Sequence, residues 1–288
     1  MQNYQIITDS CCDLPEKTIK ELGLKVIPLN LHFRGKTLED CISGRQIKTM
    51  YDALRAGESA STSAVNPEGW KTVMEPVLAD GKDALVIAFS SGLSTTYQSA
   101  VIAAQELMEA YPGRTVKVVD SLCASLGQGL LVWYACRMRD EGMDLEELAA
   151  WCEETKQHLC HWFTVDDLMY LKRGGRISAA TALVGTMLQI KPVLHMDDAG
   201  HLINMSKARG RKASLDALAA KVEELGEGFD NRTMFISHGD SQEDAEYLAE
   251  RLKAKYGVEN VLINYVGAVI GSHSGPGTIA LFFLGKHR

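Results

Sequence analysis

No apolar run in this 288-residue chain approaches the roughly 20 residues that a bilayer-spanning helix requires. The N-terminus reaches Asp9 before any signal-like apolar stretch has formed, so a cytoplasmic protein is expected. A basic surplus is missing as well: 30 Lys and Arg stand against 37 Asp and Glu, a net charge of −7. A general binder of nucleic acid or anionic membrane would need the opposite sign. The seven cysteines, Cys11, Cys12, Cys41, Cys123, Cys136, Cys152 and Cys160, include no Cys-x-x-Cys pair, which suits free thiols in a reducing compartment. Cys152, His158, Cys160 and His161 are zinc-ligand types, but their spacing fits no closed zinc motif, and no metal is expected. Nucleotide motifs are absent too. Gly127-Gln128-Gly129 has Val132 where a third glycine is needed, and no Gly-x-x-x-x-Gly-Lys-Ser/Thr occurs. Neither ATP nor NAD is an expected ligand, and no cofactor is implied. Internal repeats and low-complexity segments are also lacking.

What remains is ordinary globular material, 46% hydrophobic and 23% charged, long enough for two domains. In the first half, β-rich runs at 4–8, 25–33, 84–89 and 115–119 alternate with helical patterns near 15–23, 66–79, 96–111 and 123–141. That alternation predicts a mainly parallel sheet with helices on both faces. Beyond His158 the texture changes. Runs at 191–196 and 201–206 flank Asp197-Asp198-Ala199-Gly200, which reads as a hairpin. Helical stretches near 212–225 and 241–256 and strands at 232–237, 260–266 and 278–284 complete an α+β pattern with a largely antiparallel sheet. The expected fold class is α/β in two domains, residues 1–158 and 159–288, with the boundary at 155–162.

Chemistry gathers at turns. Ser90-Ser91-Gly92-Leu93-Ser94-Thr95-Thr96 follows a strand-like run and opens a helix, where unpaired N–H groups favour an anion. Read plainly, Ser94 is an N-cap and Ser90 a turn residue. Asp9-Ser10 and Ser121 fall at the same strand ends, the edge at which open α/β sheets bind ligands. Ser61-Thr62-Ser63 and residues 271–277, Gly-Ser-His-Ser-Gly-Pro-Gly, share the small, polar character. Lys172-Arg173-Gly174-Gly175-Arg176 and the cluster at 207–212 are the notable basic groups. Glycines beside Arg173 point to a helix C-terminus near Lys172, with its cations facing a partner. RNA-binding modules would interleave aromatics with such cations, and none are present there. Ala88-Phe89-Ser90-Ser91-Gly92 approximates a nucleophile elbow, with Ala in place of its first Gly, and His273 follows in the right order. No acid partner declares itself. A serine acyl hydrolase using Ser90 and His273 therefore stands as the alternative function.

These three hydroxyl-rich segments, with Ile7-Thr8-Asp9-Ser10, Asp13-Leu14-Pro15, the run from Phe163 through Lys172-Arg173-Gly174-Gly175-Arg176-Ile177, and Lys191-Pro192, closely resemble the DegV family nearly end to end. The resemblance implies a bacterial fatty-acid-binding protein that serves as the acyl-carrying subunit of a two-part fatty acid kinase rather than as an enzyme by itself. By matching motif positions, Thr62 and Ser94 would donate to the carboxylate of a long-chain acid such as palmitate, stearate or oleate. The Ser272-His273-Ser274-Gly275 loop would close over that head group. Arg173, with Lys172 and Arg176, would dock the partner kinase, since the chain has no nucleotide motif of its own. A tail slot is expected between the domains or inside the second, lined by Val269, Ile270, Leu188 and Phe282. Three positions depart from the family pattern: Ala64 and Val65 replace Gln-Pro, and Thr95 replaces Gly. They would alter the entrance or the acyl preference without removing a donor.

Overall fold

The computed structural model describes residues 3–40, 44–178 and 189–288. Strands β1 (Tyr4–Asp9), β2 (Lys25–Ile27), β6 (Asp83–Ala88) and β7 (Val116–Asp120) form an all-parallel sheet in the order β2-β1-β6-β7. Both faces of β6 are buried, as its unbroken apolar run requires. Ala84, Val86 and Ala88 pack against α3 (Pro67–Ala79) and α4 (Thr96–Ala110). Leu85 and Ile87 face α5 (Leu126–Asp140) and α6 (Leu145–Thr155). Helices α1 (Glu16–Glu21) and α2 (Gly44–Arg55) complete the first half, together with a small antiparallel sheet, β4-β3-β5, of Lys36–Glu39, Asn30–Phe33 and Ser61–Ser63.

The second half is a six-stranded sheet in the order β10-β9-β8-β13-β11-β12, antiparallel except for β11 against β12. Its strands are β8 (Leu159–Thr164), β9 (Ile190–Met196), β10 (Leu202–Arg209), β11 (Thr233–His238), β12 (Asn260–Tyr265) and β13 (Ile279–Leu284). The two-domain class expected from the sequence is borne out, with a parallel sheet in the first half and a largely antiparallel one in the second. Side-chain alternation divides this sheet cleanly. Trp162, Ile236, Leu281 and Phe283 bury one face under α8 (Arg211–Leu225) and α9 (Gln242–Tyr256), counting helices in chain order after α7 (Met169–Arg173). On the other face the register sets Ala280 opposite Ser237 and Phe163, and Phe282 opposite Phe235 and His161. A final short helix, α10 (Ala268–Ser274), packs on α7, α2 and β5.

Helix α5 lies between the two sheets, touching β6 on one side and β8, β11 and β13 on the other. Its first turn carries the Gly127-Gln128-Gly129 that imitates a nucleotide motif. A Cβ at Gly127 would stand 2.1 Å from His161 Nε2, and one at Gly129 2.5 Å from the Cys12 carbonyl. The glycines thus admit the helix rather than a pyrophosphate. Gln128 donates to Thr8 Oγ1 at 2.9 Å and to Asp9 Oδ2 at 3.2 Å. Asp9 also accepts from the N–H groups of Cys11 and Phe89, at 3.0 and 2.7 Å, which ties the carboxyl ends of β1 and β6 together. Burial raises its pKa to about 6 against the pull of those donors.

Three sequence expectations are corrected here. The run at 25–33 is not one strand but two in different sheets, because Pro28 between β2 and β3 offers no N–H to a ladder. Helix α6 went unread although Asp144 and Glu147 form a full capping box at its start. Residues 271–274, read as part of a polar loop, are the second half of a helix that begins at Ala268, and the chain turns only at Gly275, where φ is 81°. The Cys and His residues around 152–161 diverge: Cys160 enters the outer core, while His158 and His161 are held by the carbonyls of Gly285 and Leu159 at 3.0 and 2.9 Å.

Candidate functional site

A cavity of about 430 Å³ lies where the carboxyl ends of the parallel strands meet the inner face of the six-stranded sheet and α10. That volume falls inside the roughly 300–1,000 Å³ typical of small-molecule sites. Most of its wall is apolar: Leu29, Phe89 and Leu93 from the first half, then Phe163, Met196, Leu202, Val269, Ile270 and Phe282. The register already described makes this possible, because His161, Phe163, Ala280 and Phe282 all point inward from adjacent strands.

Polar groups converge at one part of this wall. Thr62 sits on β5, opposite Leu31 of β3, and its Oγ1 lies 2.8 Å from Nε2 of His273 on α10. Arg176, just past the end of α7, donates through Nη2 to the Leu93 carbonyl at 3.2 Å and through Nη1 to that of Gly174. Next to Leu93, the Ser94 hydroxyl accepts from the Thr96 N–H at 3.2 Å and pairs with Thr96 Oγ1 at 2.9 Å. Burial first, and the Arg176 charge second, push the His273 pKa down to about 4. His273 is therefore a neutral ring at physiological pH. Burial also lowers the Arg176 pKa, yet a guanidinium keeps its proton. Among the described residues Arg176 has no carboxylate partner, so the cavity carries a half-buried cation facing hydroxyls and a neutral imidazole. An anionic head group on an apolar tail would supply the missing charge.

A family model of the uncharacterised DegV family matches residues 3–286. The chain belongs to the DegV family. It is 46% identical over 289 residues to a DegV domain-containing protein of Clostridium perfringens, covering 100% of this chain and 99% of that one. A fatty-acid-binding DegV-family protein of Thermus thermophilus superposes with a TM-score of 0.87 at 33% identity, covering 99% of this chain and 100% of the other. DegV of Bacillus subtilis, a fatty-acid-binding protein, gives 0.84 at 28% identity, covering 99% and 100%.

Within this DegV-family chain, Thr62, Ser94 and His273 all line the cavity, as do Val269, Ile270 and Phe282. Leu188 lies outside the described residues. Of the three departures from the family pattern, Ala64 and Thr95 line the cavity while Val65 is buried in the first-half core. Ser272 and Gly275 are not in the cavity wall. The Ser272 hydroxyl donates back along its own helix to the Val269 carbonyl at 2.8 Å, and a Cβ at Gly275 would meet the Tyr170 ring. Ser90 is likewise turned away. Its Oγ donates to the Gly200 carbonyl at 2.9 Å, which fastens the β9–β10 hairpin onto the β6–α4 turn, while His273 is engaged with Thr62. Helix α7 ends at Arg173 as expected, and Arg173 is exposed with its guanidinium 4.5 Å above the Tyr170 ring. Lys172 is half-buried beside it. Arg176, grouped with them in the sequence, faces the cavity instead, because Gly175 at φ 74° turns the chain inward after the helix. Sequence reasoning also missed Met196 and Leu202 as wall residues, and Ser125 and Ser237. Ser125 Oγ lies 2.5 Å from Asp13 Oδ2 and 2.9 Å from Ser237 Oγ, a buried polar spot in the same cavity.

Proposed function

We propose that this protein binds one long-chain fatty acid, such as palmitate, stearate or oleate, with the carboxylate at Thr62, Ser94, Arg176 and His273 and the tail in the apolar cavity. The observation that carries the reading is Arg176, a half-buried cation without an acidic partner among the described residues, set at one part of a mostly apolar chamber. Solved relatives of the same fold bind fatty acids, which supports it. Affinity comes chiefly from the tail. At ~0.8 kcal/mol per methylene, the ~14 methylenes of palmitate contribute on the order of 11 kcal/mol before the entropic costs of binding. The polar cluster fixes orientation and selects a carboxylate over a neutral lipid.

The same reading makes the protein a carrier that presents its acid to the catalytic subunit of a fatty acid kinase for conversion to an acyl phosphate, with Lys172 and Arg173 on the exposed end of α7 as the docking rim. The work of activation then falls to the partner. Organic extraction of the purified protein followed by mass spectrometry tests the first step: near-stoichiometric fatty acid is expected. Recovery of traces only, with no uptake of added palmitate or oleate, overturns the reading.

A further inference from the structure

The apolar cavity has a second group of polar side chains, and the carboxylate site uses none of them. Ser125, at the start of α5, Ser237, on the inner face of β11, and Ser274, at the end of α10, all lie in its wall. Each is at least nine-tenths buried, at 4%, 0% and 4% exposure. The Ser274 hydroxyl finds no hydrogen-bond partner among the described residues. The other two belong to a relay, Asp13 Oδ2 to Ser125 Oγ at 2.5 Å and Ser125 Oγ to Ser237 Oγ at 2.9 Å. Each hydroxyl has one proton to give, which fixes how this relay ends. With Asp13 ionised, Ser237 donates to Ser125 and Ser125 to Asp13, so Ser237 is left with free lone pairs. With a proton on Asp13 Oδ2 the direction reverses, and Ser237 is left with a free O–H. Burial raises the Asp13 pKa well above the usual carboxylate range, which favours the second arrangement. In either one, Ser237 ends the relay with unused hydrogen-bonding capacity.

We propose that Ser237 and Ser274 form a hydroxyl subsite, and that the ligand this cavity prefers is a long-chain fatty acid carrying a hydroxyl group in the half of its chain nearer the carboxylate. The inference rests on the fatty-acid reading and deepens it. Its position follows from the register. Ser274 comes directly after His273, and Thr278 Oγ1, which donates to the Ser274 carbonyl at 3.1 Å, stands just before Ala280, the residue opposite Ser237. The next row of the sheet, farther from α10, is Phe235, Phe282 and His161. A chain whose carboxylate is held at His273 therefore meets Ser274 and Ser237 before it reaches Phe282, Met196 and Leu202. An unsubstituted chain sets methylenes against both serines and leaves them unpaired, a cost that a site built for a hydroxyl imposes on ligands lacking one. A hydroxyl both donates and accepts, so it completes the relay in either direction, whereas a keto oxygen can only accept. Anywhere else along the wall a chain hydroxyl would give up water for apolar side chains and lose about tenfold or more in affinity.

The test is calorimetry on the delipidated full-length protein with palmitate and a series of monohydroxy palmitic acids, the hydroxyl stepped from carbon 3 to the terminal carbon. One isomer substituted in the carboxyl-proximal half is expected to bind at least as tightly as palmitate, and the terminal isomer about tenfold or more weaker. Ser237→Ala and Ser274→Ala should each lower the affinity of the favoured isomer relative to palmitate by about tenfold. Ser274→Ala removes no hydrogen bond among the described residues, so the variant should keep its melting temperature. Ser237→Ala leaves the Ser125 bond to Asp13 in place. A tenfold or greater loss for every isomer overturns the subsite, and is the result expected if internal water already satisfies these serines. A preference that either variant leaves unchanged overturns it as well. Failure of palmitate and of every hydroxy acid to bind removes the fatty-acid reading on which the subsite stands.

Discussion

Gly174 offers the sharpest probe of the polar cluster, because its role is to leave room. A Cβ placed on it would stand 2.3 Å from His273 Nδ1 and 3.0 Å from Cγ. Its φ of −71° is one that alanine adopts freely, so Gly174→Ala carries no backbone strain. By trimming unfolded-state freedom it should even gain about 0.4–1 kcal/mol. The penalty is steric. His273 must rotate away, at about 1–3 kcal/mol for overpacking, and gives up the 2.8 Å contact with Thr62, worth about 1 kcal/mol. The net expectation is a loss of about 1–3.5 kcal/mol in denaturant unfolding and about a tenfold loss of fatty acid affinity. His273→Ala empties the place the methyl would invade. In that background Gly174→Ala should cost nothing further and regain a few tenths of a kcal/mol, giving a coupling of at least about 1 kcal/mol in the double-mutant cycle. Equal penalties in both backgrounds would refute the idea that Gly174 acts by seating His273.

Thr62→Val and Ser94→Ala should each weaken fatty acid binding by about 1.5–3 kcal/mol, the worth of a hydrogen bond to a charged group, whereas Ser99→Ala, placed inside α4, should not; calorimetry on delipidated protein compares them. Since the His273 pKa is depressed from 6.5 to about 4, its contribution to stability is complete above pH 6.5 and is lost as pH falls through about 4. Proton NMR of the ring should find it neutral at pH 6, and a titration midpoint near 6.5 in the acid-free protein would contradict the burial argument. Ser90→Ala should cost about 1 kcal/mol of stability through the lost bond to Gly200, and the native protein should resist a serine-directed phosphonate. Rapid labelling at Ser90 would bring back the hydrolase alternative. In cells, Arg173→Ala should reduce partner-dependent acyl phosphorylation in a salt-sensitive way.

Most elements were legible because their periodicity reflects what they bury. The apolar run of β6 reads as a strand buried on two faces, and Gly200 marks the hairpin turn where its φ of 78° demands glycine. Helix α10 was not legible. Its small residues pack closely enough that a Cβ at Gly271 would stand 2.3 Å from the Tyr51 hydroxyl, and that fit depends on α2, more than two hundred residues earlier. Local propensity read the segment as a loop because glycine and serine favour turns when nothing encloses them.

The basic run at 172–176 shows the same limit in electrostatic form. Its charges look equivalent in sequence, yet the chain reverses at Gly175 and sends Arg173 to solvent and Arg176 to the cavity. Placing the cation on Arg176 also changes what His273 does. An imidazole that loses its proton readily, next to a guanidinium that keeps it, serves as a hydrogen-bonding partner for Thr62 and not as the counter-charge. A ligand carboxylate would therefore draw its electrostatic attraction from an arginine whose charge does not titrate in the physiological range. Head-group affinity should accordingly stay flat from pH 6.5 to 8.5, and a protein that relied on a charged histidine would lose affinity across that interval.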